Sequence, residues 1–319
     1  MKFDVTAIGE LLIDFSQSGR GKNLLNVYTA NCGGAPANVC AVIAKLGGSS
    51  AFIGKVGNDF FGTVLKKALS DLGICVDGLI MDKEANTTLA FVSLDETGER
   101  EFSFYRNNSA DTRLEICDIN EELILNSSIV HFGGVSLTDE PSRSATLTAV
   151  AGAKESGAII SYDPNYRPML WKDPVTAKEI MTEASYLADV IKVSEEELLF
   201  LTQYEGLQAG CEELISHGAS VVMVTLGNRG VYYKTKNAEG LVDGFKVNTV
   251  DTTGAGDAFM GAFLYHIKNF TREDIGGLMK EELNKIMSFS NAVAAITTTG
   301  IGATASIPSS LEVREFLTK

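Results

Sequence analysis

Short apolar runs, each closing on small or polar residues, recur along this chain with helical stretches between them. FDVTAIGE, SAFIGKVG, SSIVHFGG, GAIISYDP, ADVIKVS and ASVVMVTLG read as strands. APANVCAVIAKL (35–46), DFFGTVLKKALSDLG (59–73) and the segments 257–269 and 282–298 carry helical spacing. Strands that alternate with helices, and that are apolar on both sides, predict a doubly wound α/β core with helices on both faces of a mostly parallel sheet. Ligands in such sheets bind beyond the carboxyl ends of the strands. GVYYKT and FKVNTV are expected to add further strands.

One region breaks the alternation. TTLAFVSLDETGEREFSFYR (87–106) is two alternating runs around ETGE with no helix between them, the pattern of a β-hairpin. LLIDF also reads as a strand, followed by SQSGRGKN as a turn. Segments of about 10–31 and 86–107 are expected to pair as one small lid inserted into a single domain spanning 1–319.

At 319 residues, 45% hydrophobic and 21% charged, the chain has the composition of a globular protein with a substantial core. Its net charge of −14 gives no general attraction to nucleic acid or to anionic membranes. Five irregularly spaced cysteines without a CxxC pair predict reduced thiols in a cytoplasmic protein, mostly buried. Three scattered histidines argue against a histidine-based metal site or a Ser-His-Asp triad. Asp4, Glu10 and Asp14 interrupt the first apolar run, so no signal peptide is expected, and no run of about 18 apolar residues predicts a membrane span.

Three glycine-rich stretches follow strand-like runs. Gly33-Gly34-Ala35-Pro36-Ala37-Asn38 allows close backbone approach to a ligand, with Asn38 in the first helical turn, although a tight turn with an N-terminal proline is the simpler reading of these residues alone. Thr225-Leu226-Gly227-Asn228-Arg229-Gly230 fits a hairpin turn as well as a nucleotide loop. DTTGAGDAF (251–259) lacks both the GK[ST] of a P-loop and the spacing G-x-G-x-x-G. Gly254, Ala255 and Gly256 nonetheless offer unhindered amides at the start of a helix, where free N–H groups and the helix dipole favour an anion, usually phosphate. Asp257 beside that anion is either an ordinary helix cap or a general base for a hydroxyl attacking phosphorus.

GGAPANVCAVIAKLG and DTTGAGDAFMGAF, about 220 residues apart, resemble the two signature regions of the PfkB carbohydrate kinases. FIGKVGNDFFG, SYDPNYRPMLW, KVSEEEL and NAVAAITTTGIGATASIP are similar to the family's intervening segments, so the resemblance covers nearly the whole chain. SLDETGEREFSFYRNNSAD with SYDPNYRPMLW looks most like bacterial and plant fructokinases. The resemblance implies a ribokinase-like three-layer αβα sandwich with a small β-sheet lid. It implies phosphorylation of a sugar hydroxyl by Mg-ATP, for a fructokinase the 6-hydroxyl of D-fructose. A 2-keto-3-deoxygluconate kinase, another sugar or nucleoside kinase of the family, and a non-catalytic sugar-binding regulator are the alternatives.

Carried over by motif, Asp257 is the catalytic base, and Gly254, Ala255 and Gly256 form the anion hole. The resemblance implies that Asp14, Gly33, Gly34 and Asn38 bind the sugar, with Arg106 and Arg167 as candidate ligands for an acid sugar and Phe91 and Tyr105 as apolar walls. Lys192, Ser194, Glu197, Thr225, Gly227, Gly230 and Asn291 fall on the nucleotide side. Glu197 marks the magnesium region. Ser194 replaces the Asn of the family's N-x-x-E, and serine, shorter and without an amide, is expected to alter the water and magnesium network there. The resemblance also implies a monovalent-cation site, for potassium, at Asp251, the backbone of Thr253, Gly300, Gly302 and Ser306, whose oxygens suit a hard cation. A homodimer through the lid is expected.

Overall fold

A computed structural model of the chain describes residues 2–20, 26–94 and 100–318. Its strands, in chain order, are β1 (Phe3–Ile8), β2 (Leu12–Arg20), β3 (Asn26–Gly33), β4 (Ser50–Gly57), β5 (Cys75–Asp82), β6 (Leu89–Leu94), β7 (Arg100–Tyr105), β8 (Ser127–Gly133), β9 (Ile159–Asp163), β10 (Val190–Ser194), β11 (Val221–Thr225), β12 (Val231–Thr235) and β13 (Glu239–Val242). The helices are α1 (Ala35–Leu46), α2 (Phe60–Asp71), α3 (Glu121–Leu125), α4 (Ser142–Glu155), α5 (Pro174–Ser185), α6 (Glu195–Thr202), α7 (Leu207–Ser216), α8 (Ala255–Ile267), α9 (Arg272–Gly276), α10 (Lys280–Thr297) and α11 (Ser310–Leu317).

The larger sheet runs β13-β12-β11-β10-β9-β8-β1-β4-β5. Every pairing from β11 to β5 is parallel, and β12 and β13 close one edge antiparallel. β11 shows why its sequence is continuously apolar. Val221 and Met223 join the core under α8 and α10, while Val222 and Val224 join the opposite core under α6 and α7. Both faces are covered, so neither side can be polar. β4, buried at all eight positions, is the extreme case.

The smaller sheet runs β3-β2-β6-β7. Two antiparallel pairs, β2 with β3 and β6 with β7, meet through a parallel contact of β2 with β6. Segments far apart in sequence thus pair as one sheet. Asp14 stands opposite Ala90, which stands opposite Phe104, and Leu89 stands opposite Tyr105. Alternation therefore places Asp14 and Phe104 on one face. Phe15, Phe91 and Tyr105 lie on the other. There Phe91 stacks on Phe15 at 4.8 Å and meets Tyr28 and Tyr105 edge-on, each at 5.4 Å. Phe91 and Tyr105, expected as walls of the sugar site, lie on the face of the lid opposite Asp14.

Two local expectations are corrected, and one strand is added. The turn expected at SQSGRGKN is strand as far as Arg20, because β3 pairs alongside and a register shift between Gln17 and Gly19 absorbs the small residues. FKVNTV forms no strand, since β13 already occupies the sheet edge. Cys75–Asp82 is an edge strand that its interrupting acids and glycine had concealed. Residues 21–25 and the ETGE tip (96–99) fall outside the described residues. All five cysteines are free thiols, but only Cys40 and Cys211 are buried.

Candidate active site

A cavity of about 810 Å³ opens between the lid and the carboxyl ends of β1, β9 and β10. That volume falls within the usual range for small-molecule sites. Asp257 borders it from the first turn of α8. The helix starts there because Gly254 adopts a left-handed φ of +78°, which turns the chain from 251–253 into the helix. A side chain at Gly254 would overlap the Ala303 methyl group. A Cβ at Gly256 would come within 2.8 Å of the Lys192 ammonium. The amides at 254–256 therefore sit in a tight backbone cradle with a cation against it, an arrangement suited to an anion.

Asp257 is 7% exposed, and Asn38 Nδ2 donates to its Oδ2 at 2.8 Å. Burial, then the charge of Asp163, pushes its carboxyl up to about 6, opposed by the Asn38 hydrogen bond and the charges of Lys192 and Arg167. Asp14 faces the same cavity and is pushed up to about 7, first by burial and then by the charge of Asp257. Gly33 makes room for it, since any side chain at 33 would run into the Asp14 carboxylate. Gly34 and Asn38 also border the cavity, from the start of α1.

Lys192 is buried and pairs with Asp163 at 2.5 Å. Burial alone would lower its pKa, but the carboxylates of Asp163 and Glu197 outweigh that and raise it, so the lysine is a fixed cation. Ser194 and Glu197 form a reciprocal cap on α6. The Glu197 N–H donates to Ser194 Oγ at 3.1 Å, and Glu197 Oε2 accepts the Ser194 N–H at 2.8 Å. Glu197 Oε1 accepts the Tyr166 N–H at 2.7 Å. Serine thus fulfils the capping role open to asparagine at this position and keeps Glu197 facing the cavity. Magnesium retains several waters and takes one or two carboxylates beside the phosphates. Among the described residues no cluster of three or more His, Cys, Asp or Glu side chains forms a closed cage. Glu197 fits the open arrangement.

Asp251 ties two loops together. Its Oδ1 accepts the Thr253 N–H at 2.9 Å and its Oδ2 the Gly302 N–H at 3.0 Å, while Ser306 lies against Gly300. The segments 251–253 and 300–306 therefore lie side by side. Thr225, Gly227 and Gly230 lie at the end of β11, where left-handed Gly227 and Gly230 turn the chain into β12.

Two expected ligands are engaged elsewhere. Arg106 is buried and donates to Asp111 (2.6 Å), Thr138 (2.7 Å), Asp139 (3.2 Å) and the Val135 carbonyl (3.1 Å). It braces the base of the lid and does not line the cavity, whereas Arg167 does. Removing one partner of a buried ion pair costs about 3–5 kcal/mol. Arg106→Met is therefore expected to lower unfolding free energy by about that amount in chemical denaturation, and an unchanged midpoint would contradict the bracing role. Asn291 spends its amide on the Val242 and Asp243 carbonyls, both at 3.1 Å, pinning the chain after β13. Phe104 and Asp163 were missed. Asp163 was within reach through its strand-end position in SYDPN, whereas Phe104 depends on how the lid pairs.

Residues 2–310 match the pfkB family carbohydrate kinases. The chain belongs to that family. It is 43% identical to "Fructokinase-2" of Zea mays over 318 residues, covering 99% of this chain and 94% of that one. Among solved structures, the fructokinase of Xylella fastidiosa with bound ATP superposes with a TM-score of 0.91 at 32% identity, covering 99% of both chains. The fructokinase of Vibrio cholerae O395 in its fructose-, ADP- and calcium-bound form gives 0.88 at 36% identity over 98% of both. The three-layer core with a small lid sheet is the ribokinase-like fold of these pfkB kinases.

Proposed function

We infer that the chain is an ATP-dependent fructokinase that converts D-fructose and ATP into D-fructose 6-phosphate and ADP. One observation carries the chemistry: a buried carboxylate, Asp257, at the N-terminus of α8 beside the cradle of amides at 254–256, facing the cavity under the lid. The 43% identity to a fructokinase across nearly the full length supports fructose as the acceptor.

The whole chain acts as one kinase domain, with the small sheet as its lid. Fructose lies under Asp14, Gly33, Gly34 and Asn38, its 6-hydroxyl toward Asp257. A carboxylate such as Asp14 accepts two sugar hydroxyls at once. Asp257 takes the proton as that oxygen attacks phosphorus, and the amides at 254–256 hold charge developing on the transferred group. Lys192 keeps a positive charge beside the Gly256 backbone. ATP lies along the ends of β10 and β11, beside Ser194, Thr225, Gly227 and Gly230. Magnesium, when bound beside Glu197, neutralises phosphate charge, and potassium fits the segments around Asp251, Thr253, Gly300, Gly302 and Ser306.

A base works only when ionised. Because Asp257 is pushed up to about 6, kcat/KM is expected to fall as pH drops through that value, roughly tenfold for each further unit. A profile flat down to pH 5 would contradict the assignment.

Arg167 at the cavity favours 2-keto-3-deoxygluconate as the second reading. The protein acts in the cytoplasm, and no helix among the described residues is long and apolar enough to cross a membrane. It pairs as a homodimer through the lid, where Tyr105 is exposed on the face opposite Asp14. Incubating the purified protein with D-fructose and ATP and identifying the product by phosphorus NMR tests the function. A 6-phosphate is expected, and sugar binding without ADP formation would point instead to a regulator.

A further inference from the structure

Three consecutive residues each touch a different part of the site. The Gly302 N–H donates to Asp251 Oδ2 at 3.0 Å. Ala303 fills the space beside Gly254 that a side chain there would need. Thr304 Oγ1 donates to Asn38 Oδ1 at 2.9 Å, and Asn38 Nδ2 donates to Asp257 Oδ2 at 2.8 Å.

Chemistry fixes the direction of this chain. An ionised carboxylate only accepts, so Asn38 must turn its NH₂ to Asp257 and its carbonyl oxygen to Thr304. The threonine hydroxyl is then the donor that holds the amide in that sense. Its other acceptor within reach, the Cys32 carbonyl on β3, is more distant at 3.4 Å. Without the hydroxyl, the Asn38 oxygen loses this donor and the amide is held from the Asp257 side alone.

We propose that Thr304 is a positioning residue for phosphoryl transfer, holding Asp257 in its productive orientation through Asn38. The inference rests on the kinase reading above. It also gives the segment 302–304 a joint role. The residues that brace Asp251 and Gly254 continue directly into the one that orients the base, so the candidate cation loop and the base share one short piece of backbone.

Thr304→Val keeps the shape and removes the hydroxyl, whereas Thr304→Ser keeps the hydroxyl. Steady-state kinetics with fructose and ATP read the difference. Loss of one such hydrogen bond is expected to lower kcat roughly five- to tenfold in Thr304→Val, with KM for ATP unchanged and Thr304→Ser within about twofold of wild type. In an Asn38→Ala background, Thr304→Val should cause no further loss, because the chain is already cut. Wild-type kcat in Thr304→Val overturns the proposal. So does an equal fall in Thr304→Ser, or a loss that adds fully to that of Asn38→Ala. Wild type in the same assay separates two failures: a protein that phosphorylates no sugar overturns the kinase reading and this role with it, whereas an active wild type with an equally active Thr304→Val overturns this role alone.

Discussion

Asp257→Asn is expected to lower kcat by roughly 10²–10⁴-fold, the usual contribution of a positioned general base. Asparagine has the shape of aspartate, and its side-chain oxygen can still accept the Asn38 hydrogen bond that Oδ2 accepts in the native protein. The site should remain assembled, so fructose and ATP are expected to bind with near-native affinity by calorimetry while turnover collapses. Folding is not expected to suffer, since the substitution removes a buried charge whose carboxyl is already pushed up to about 6. Turnover near the native rate would exclude Asp257 as the base.

Gly254→Ala is expected to have the second-largest effect. The residue holds φ at +78°, and a methyl group there would overlap Ala303. Either strain shifts the loop or Ala303 retreats, and both move the amides at 254–256 from their positions. Displacing one anion-hole donor typically costs roughly 10²–10³-fold in kcat. Gly47→Ala provides the control. Gly47 also has a left-handed φ, +94°, but closes α1 with nothing within 4 Å of an added Cβ. It should lose some stability and no turnover. Equal kinetic losses in the two variants would mean that backbone strain in general, not the cradle at 254–256, governs the rate.

The architecture was legible because each core strand between β1 and β11 is covered on both faces, and a run such as VVMVT can then be nothing but apolar. The lid was legible as a hairpin but not in its facing. Phe91 and Phe104 both sit in alternating runs, and only the pairing of β6 with β2, about 75 residues apart, decides which phase points inward. Arg106 stands beside the lid in sequence and resembles a ligand. Its commitment depends on Thr138, Asp139 and the Val135 carbonyl, some 30 residues away, which local pattern does not reveal. The site itself divides in the same way. GAGD announces its chemistry locally, because glycines at a helix start and an acid beside them already form an anion site. Thr304 carries no such signal. Its meaning comes from Asn38, 266 residues earlier, and from the 219-residue span joining Asn38 to Asp257.

The most direct test of the central claim is kcat/KM for D-fructose, 2-keto-3-deoxygluconate, ribose and a nucleoside, each with ATP, on the purified protein. With Arg106 bound inside the fold, D-fructose is expected to be the preferred acceptor. A preference for 2-keto-3-deoxygluconate that disappears in Arg167→Ala would contradict the fructokinase assignment.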